Sequence, residues 1–167
     1  MTSPSSDPNA AYSLRAFTES DAPALAGLTL AAIRSVGAKA YSPEQVNAWA
    51  MRHSGPERFV QRAADGAMIT VACDTEGAPV AYALLEPDGH LDMLYCHPDH
   101  TRRSLADRLL QGCEDIARVR NLDRLFTESS ELARPAFERA GYKVQHRRDF
   151  QIEGVAIYNY AMEKTIA

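Results

Sequence analysis

The stretch HPDHTRRSLADRLL, residues 97–110, joins a predicted strand to a predicted helix. Ser104 is a residue type that caps helices, and Asp107 stands three residues later, as in a capping box. The amide groups at a helix N-terminus carry a partial positive charge and bind phosphate without any particular side chain. Arg102 and Arg103 add two charges of the same sign. The stretch therefore indicates either an anion site or an ordinary capped surface helix.

Upstream of this stretch, the sequence predicts a strand, two helices and three further strands. The alternating residues 12–17 predict the first strand, and helical spacing over 18–36 predicts the first helix. The second helix is expected to begin at Pro43 with Ser42 as its N-cap, because the first helical position does not use its N–H group. Three runs separated by the turn signals TEGA and PDGH then predict an antiparallel meander: they span 67–74, 79–88 and 90–96.

Downstream, apolar residues at helical spacing from Leu105 predict an amphipathic helix to about residue 119. The remaining elements are a strand over 123–130, a helix over 131–141 closed by Gly141, and a hairpin over 142–166 that turns near Glu153 and Gly154. This order predicts an α/β fold, in which helices cover the faces of a mixed sheet.

Length and composition indicate one domain. The chain has 167 residues, of which 46% are hydrophobic, and we expect a single domain over 12–167 after a disordered leader over 1–11 that is rich in Ser, Pro, Asn and Asp. A net charge of -4 provides no basic stripe, so nucleic acid is not expected as a partner. The sequence has neither a membrane-length apolar run nor a signal-like N-terminus, which predicts a cytoplasmic protein without a membrane partner.

The cysteine and histidine patterns do not indicate a metal site. Cys73, Cys96 and Cys113 are far apart and lack the spacing of a zinc site, so reduced, mostly buried thiols are expected. His97 and His100 share one loop, but no third ligand follows at a familiar spacing. We therefore predict no metal.

Four stretches together resemble a known family. HTRRSLA follows a strand and a turn, as the family's phosphate loop does, with Ala106 at the position where the loop has Gly or Ala. ESSELARPAFERAGYKV (128–144) is similar to a second family segment, and YSPEQVNAWA (41–50) and EGVAIYNYAMEKTI (153–166) resemble a bacterial subgroup. On these residues, the chain resembles the GNAT superfamily of acetyl-CoA-dependent N-acetyltransferases.

The resemblance implies a GNAT-type fold, with a mixed, mostly antiparallel central sheet of about seven strands flanked by about four helices. It also implies acetyl-CoA as the acetyl donor. Thr101 stands where the family has Gln or Arg, and Ser104 replaces the central Gly, so a β-carbon stands where the pyrophosphate approaches. The residues that the resemblance assigns to the cofactor are Leu94, Tyr95, Cys96, Thr101, Arg102, Arg103, Ser104, Leu105, Ala106, Ser130 and Phe137.

The same resemblance suggests catalytic roles. Asp92 lies two residues before Leu94 on the same predicted strand, so we expect the two side chains to share a face. Asp92 is either the general base, acting through a water, or a hydrogen-bonded structural carboxylate. A backbone amide among residues 94–96 would face the thioester carbonyl. Phe137 stands where many relatives have a Tyr as general acid. Tyr142, Tyr158 and Cys96 are possible substitutes, although packing explains each of them better.

The acceptor and the route stay open at this level. Tyr41 and Trp49 are expected near the acceptor pocket, although core packing explains Trp49 better. The acceptor is an amine of a small molecule or of a protein. Cys96 would permit a covalent route, but direct transfer is favoured because the sequence places no His base beside it. A non-catalytic acyl-CoA-binding or regulatory protein of the same fold is the alternative. The apolar closing hairpin would suit a homodimer interface.

Overall fold

The computed structural model describes residues 11–53 and 55–166. The leader expected over 1–11 lies outside the described residues except at Ala11. Seven strands are formed: β1 Ser13–Ala16, β2 Met68–Cys73, β3 Pro79–Leu85, β4 Leu91–Cys96, β5 Arg124–Ser129, β6 Lys143–Ile152 and β7 Val155–Thr165. Five α-helices accompany them within the described residues: α1 Ala22–Val36, α2 Pro43–Met51, α3 Glu57–Ala64, α4 Leu105–Val119 and α5 Arg134–Arg139. None of these helices is both long and apolar enough to cross a membrane.

The strands form two antiparallel sheets. The first has the order β1-β2-β3-β4 and contains the predicted meander, whereas the second has the order β5-β7-β6 and contains the predicted hairpin. The expectation of a mostly antiparallel arrangement of about seven strands is confirmed. The hairpin turns at Glu153 and Gly154, which both have positive φ, as expected.

The helices differ from the prediction in number. Three helices, rather than two, precede the meander, because α3 is formed where the sequence analysis placed no element. The helix has only eight residues, which is about two turns and too short for the helical spacing to repeat several times, and Phe59 is its one buried residue. Ser42 caps α2 as predicted: its side chain accepts a hydrogen bond from the Gln45 amide at 3.1 Å.

The two sheets meet where β4 and β5 begin side by side. The Phe126 amide donates to the Gly89 carbonyl at 3.0 Å, and the Thr127 hydroxyl donates to the Leu91 carbonyl at 2.7 Å. A single parallel bridge joins His90 to Phe126. Within the described residues β4 has no further ladder with β5, so the two strands diverge after this junction.

A β-bulge interrupts β4 at Asp92. Leu84 pairs with Met93, but Leu85 pairs with Leu91, which leaves Asp92 unmatched. The bulge corrects the expectation that Asp92 and Leu94 share a face. Asp92 reaches Arg62 on α3, whereas Leu94 packs into the apolar cluster that contains α4.

Gly89 is required for the junction. Its φ is +97°, and a β-carbon there would lie 2.5 Å from the Arg124 carbonyl oxygen. Gly77 also has a positive φ, +82°, but has open space around it. The backbone conformation at both positions therefore disfavours any residue with a side chain. At Gly89 a side chain would in addition clash with the Arg124 carbonyl.

We expect Gly89→Ala to destabilise the protein more than Gly77→Ala. The left-handed conformation costs either variant about 1–2 kcal/mol, and the clash at residue 89 adds about 1–3 kcal/mol. Urea unfolding of both variants measures the difference. Equal losses of unfolding free energy would contradict the close contact between the two sheets.

Candidate functional site

A cavity of about 360 Å³ opens where β4 and β5 diverge. It brings together many of the predicted site residues, namely Tyr41, Trp49, Asp92, Leu94, Tyr95, Ser130 and Phe137. Cys96 and the loop Thr101–Ala106 do not line it. The predicted site therefore divides into a cavity and a separate loop at the end of β4.

The backbone of β4 presents amide groups towards this opening. The His97 amide donates to the Val80 carbonyl on β3 at 2.8 Å. Amides of an antiparallel strand point alternately to its two sides, so the Tyr95 amide also faces β3, and the amides of Leu94 and Cys96 face the gap. Leu94 combines an amide directed at the gap with a place in the cavity wall, so its amide is the candidate oxyanion donor among residues 94–96.

The loop before α4 adopts an unusual backbone. Arg102 and Ser104 both have φ of 60°, in the left-handed region that Gly normally occupies. The predicted capping interaction of Ser104 is wrong, because in this conformation its side chain makes no hydrogen bond to the first turn. The backbone amides of that first turn are therefore available to water or to an anion. They lie at the N-terminus of a helix of 15 residues, where the helix dipole favours an anion.

Asp92 lies on the cavity wall in a network of charges. Its Oδ2 is 2.8 Å from Arg62 Nη1, and its Oδ1 is 4.0 Å from His90 Nε2. The side chain is 31% exposed. The bulge thus places a partly exposed carboxylate at the cavity, with one oxygen bound by an arginine.

His90 stands between two further carboxylates. Its Nδ1 lies 2.8 Å from Glu86, and its Nε2 lies 2.5 Å from Glu128 on the cavity wall. The hydrogen bond to Glu128, followed by the one to Glu86, raises the pKa of His90 to about 9, and the pKa of Glu128 is lowered by the same bond. A protonated His90 therefore holds Glu128 in a fixed, ionised position.

The ligand atoms of Glu86, His90 and Asp92 lie within 4.8 Å of one another, as a metal site would require. Arg62 already binds both carboxylates, at 3.2 and 2.8 Å, and both His90 nitrogens already face carboxylates. Side chains of this network therefore already occupy the ligand atoms that a metal would use.

His53, Glu128 and Arg148 also line the cavity, and the sequence analysis missed all three. His53 comes shortly after α2, the helix on which acceptor-pocket residues were expected, and this position in the sequence could have indicated that it lines the cavity. Its Nε2 lies 3.4 Å from the Tyr95 hydroxyl, and burial, followed by the nearby Arg58, lowers its pKa to about 4. His53 is therefore a neutral imidazole at physiological pH.

Tyr41 and Trp49 lie where acceptor-pocket residues were expected. The Tyr41 hydroxyl accepts from the Glu131 amide at 2.9 Å and donates to the Tyr158 carbonyl at 3.0 Å, which ties the start of α2 to β7. The ring of Tyr41 contacts Trp49 edge-on. The Tyr41 hydroxyl therefore has a structural role, and the rings of Tyr41 and Trp49 form part of the cavity wall.

The remaining predicted residues have structural contacts. The Cys96 thiol donates to the His100 carbonyl at 3.4 Å, and burial raises its pKa to about 11. Phe137 is buried against Tyr142, and the Ser130 hydroxyl accepts from the Ala133 amide at 3.2 Å. Because the Cys96 thiol stays protonated and donates to a carbonyl, Cys96 is a poor nucleophile.

Comparison with known proteins identifies the class. Residues 37–164 match the model of the acetyltransferase (GNAT) domain, and the chain belongs to this family. It is therefore an acyltransferase enzyme, as the sequence resemblance predicted.

Individual relatives agree over most of the chain. The chain is similar to the uncharacterized N-acetyltransferase YafP of Escherichia coli K12, with 24% identity over 89% of this chain and 93% of YafP. It is also similar to the GCN5-related N-acetyltransferase of Rhodopseudomonas palustris, with 33% identity, a TM-score of 0.84 and coverage of 93% and 96%. The PaiA N-acetyltransferase of Thermoplasma acidophilum, solved with coenzyme A, shares the fold at 16% identity, a TM-score of 0.75 and coverage of 92% and 98%.

The His90 network predicts a pH-dependent stability. The pKa of His90 in the folded protein lies above the 6.5 of a free histidine side chain, so its protonation stabilises the folded state. This contribution is complete below about pH 6.5 and is lost as the pH rises through about 9. Urea unfolding across this range should show the fall in the native protein and not in His90→Gln. The exposed His146→Gln is the control, and a fall of equal size in His90→Gln would contradict the assignment.

Proposed function

We propose that this enzyme transfers the acetyl group of acetyl-CoA directly to an amine, without a covalent enzyme intermediate. The observation that carries the proposal is the Leu94 amide, which faces the cavity where β4 and β5 diverge. A donor held there would stabilise the oxyanion that develops when an amine attacks a thioester carbonyl. The coenzyme A complex of the structural neighbour PaiA supports a coenzyme A substrate on this fold.

The phosphates of acetyl-CoA are proposed to bind at the start of α4. Backbone amides of residues 103–106, the helix dipole and the charges of Arg102 and Arg103 favour an anion there. Ser104 already adopts the backbone conformation that Gly normally supplies. The amides are therefore oriented as in a Gly-containing loop, and the β-carbon of Ser104 is the remaining obstacle.

Asp92 is proposed as the general base. An alkylamine with a pKa near 10.4 must lose a proton to attack, and Asp92 is the carboxylate on the β4 side of the cavity. Its short side chain and its contact with Arg62 favour proton removal through a water. Glu128 is the less suited carboxylate, because its hydrogen bond to His90 lowers its pKa.

The amine nitrogen bonds to the acetyl carbon, the C–S bond breaks, and the electron pair leaves on the coenzyme A sulfur. The thiolate then takes up a proton. Because a thiol has a pKa of about 8.5, departure does not require an acid at Phe137. Cys96 has no part in this route, since its thiol is bonded to the His100 carbonyl and lies outside the cavity.

Asp92→Asn should lower kcat by about 100-fold, because one general base contributes about that factor. The affinity for acetyl-CoA should be unchanged. Release of coenzyme A measured with a thiol reagent, over a panel of amines, gives the rate, and calorimetry gives the affinity. Asp115→Asn, on the exposed side of α4, is the control. Full activity of Asp92→Asn would exclude Asp92 as the base.

A separate pair of variants tests the phosphate loop. Ser104→Gly should bind acetyl-CoA several-fold more tightly, because it removes the β-carbon that stands where the pyrophosphate is proposed to bind. Ser104→Ala keeps the β-carbon and should show no such gain. Calorimetric titration of both variants distinguishes these effects. Weaker binding by Ser104→Gly than by Ser104→Ala would contradict the proposed placement of the phosphates.

A further inference from the structure

Three arginines on the cavity wall lack an acidic partner. Arg52, Arg58 and Arg148 line the cavity, and within the described part of the chain none of them forms an ion pair with a carboxylate within 4.0 Å. The two carboxylates on the same wall, Asp92 and Glu128, already have cationic partners. The cavity is therefore left with an excess of positive charge, which favours an anionic ligand group.

Arg148 is the best placed of the three to recognise such a group. Its Nη1 donates to Asn159 Oδ1 at 3.1 Å, and its guanidinium lies 5.2 Å from the centre of the Phe150 ring. These contacts fix the side chain and leave other N–H groups to bind a ligand. A guanidinium held in this way suits two-point binding of a carboxylate.

The register of the second sheet places an opposite charge on the same face. Arg148 pairs with Asn159, and Glu128 pairs with Ala161, two residues further along β7. Glu128, Asn159 and Arg148 therefore point to one side of the sheet. His90 fixes Glu128 and Asn159 fixes Arg148, so the wall presents a negative and a positive group in fixed positions.

The phosphates of the cofactor do not account for these arginines. The loop Thr101–Ala106, where the phosphates are proposed to bind, does not line the cavity. Arg52 and Arg58 come from the segment around the end of α2 and the start of α3, and Arg148 comes from β6. The excess charge thus belongs to the acceptor side, in a volume suited to a small molecule.

We propose that the acceptor is a small amine that itself carries a carboxylate, as an amino acid does. This inference rests on the proposed function and names its substrate class. Arg148 binds the acceptor carboxylate, and Glu128 attracts the amino group towards Asp92. An amine without the anionic group would leave Arg148 without its partner and would bind less well.

The test compares matched acceptors on the full-length protein with acetyl-CoA. Methionine, phenylalanine and leucine are each paired with their decarboxylated amines and with their amides, in which a neutral carboxamide replaces the carboxylate. We expect kcat/KM to be at least tenfold higher for the carboxylates. An aminophosphonate of the same side chain distinguishes a carboxylate site from a phosphonate site, and preference for the phosphonate would overturn the assignment.

Arg148→Gln should remove most of this preference by raising KM for the carboxylates about tenfold or more, with kcat and acetyl-CoA affinity nearly unchanged. Arg147→Gln is the control, because Arg147 is exposed on the same strand and pairs with Asp149. Equal or better activity with the decarboxylated amines would overturn this inference and leave the proposed function standing. Failure of every amine, in a protein that binds acetyl-CoA, would overturn both.

Discussion

The structure depends on one constraint: β4 and β5 are joined at their beginnings and separated afterwards. The hydrogen bonds from Phe126 to Gly89 and from Thr127 to Leu91 hold the start of β4 against β5, and the two strands run parallel at this point. Beyond them, the β4 amides of Leu94 and Cys96 face an opening instead of a partner strand. Buried backbone donors need partners, so such an opening is suited to a ligand that supplies acceptors.

The charges around the opening follow from this arrangement. The bulge turns Asp92 towards Arg62, and the junction brings His90 between Glu86 and Glu128. Each of the two cavity carboxylates therefore has a cationic partner, whereas Arg52, Arg58 and Arg148 have no carboxylate partner among residues 11–53 and 55–166. A wall that contains fixed acids together with arginines that no described carboxylate pairs with is better matched to a zwitterionic acceptor than to a purely basic one.

Much of the fold could be predicted from local patterns. The meander, the hairpin turn at Glu153 and Gly154, and α4 follow from alternation, turn residues and helical spacing, which are properties of short segments. The bulge at Asp92 and the division into two sheets could not be predicted, because alternation along β4 is the same with or without them. The His90 network joins segments far apart in sequence and has no local signal.

The candidate site shows the same limit. The loop before α4 was found from its charges and position, but the left-handed Ser104 was not, since Ser usually caps helices from an extended backbone. His53 and Arg148 are ordinary residues in their own segments and acquire a role only from the cavity that they share. Sequence patterns located most of the elements, with α3 as the exception, but they did not locate the cavity wall that these elements build together.

A crystal structure of the complex with acetyl-CoA tests the account most directly. It should show the thioester carbonyl at about 3 Å from the Leu94 amide, a hydrogen-bond distance, with the pyrophosphate against the amides at the start of α4. A cofactor bound elsewhere, or a thioester carbonyl that meets no β4 amide, would contradict the role assigned to the opening between β4 and β5.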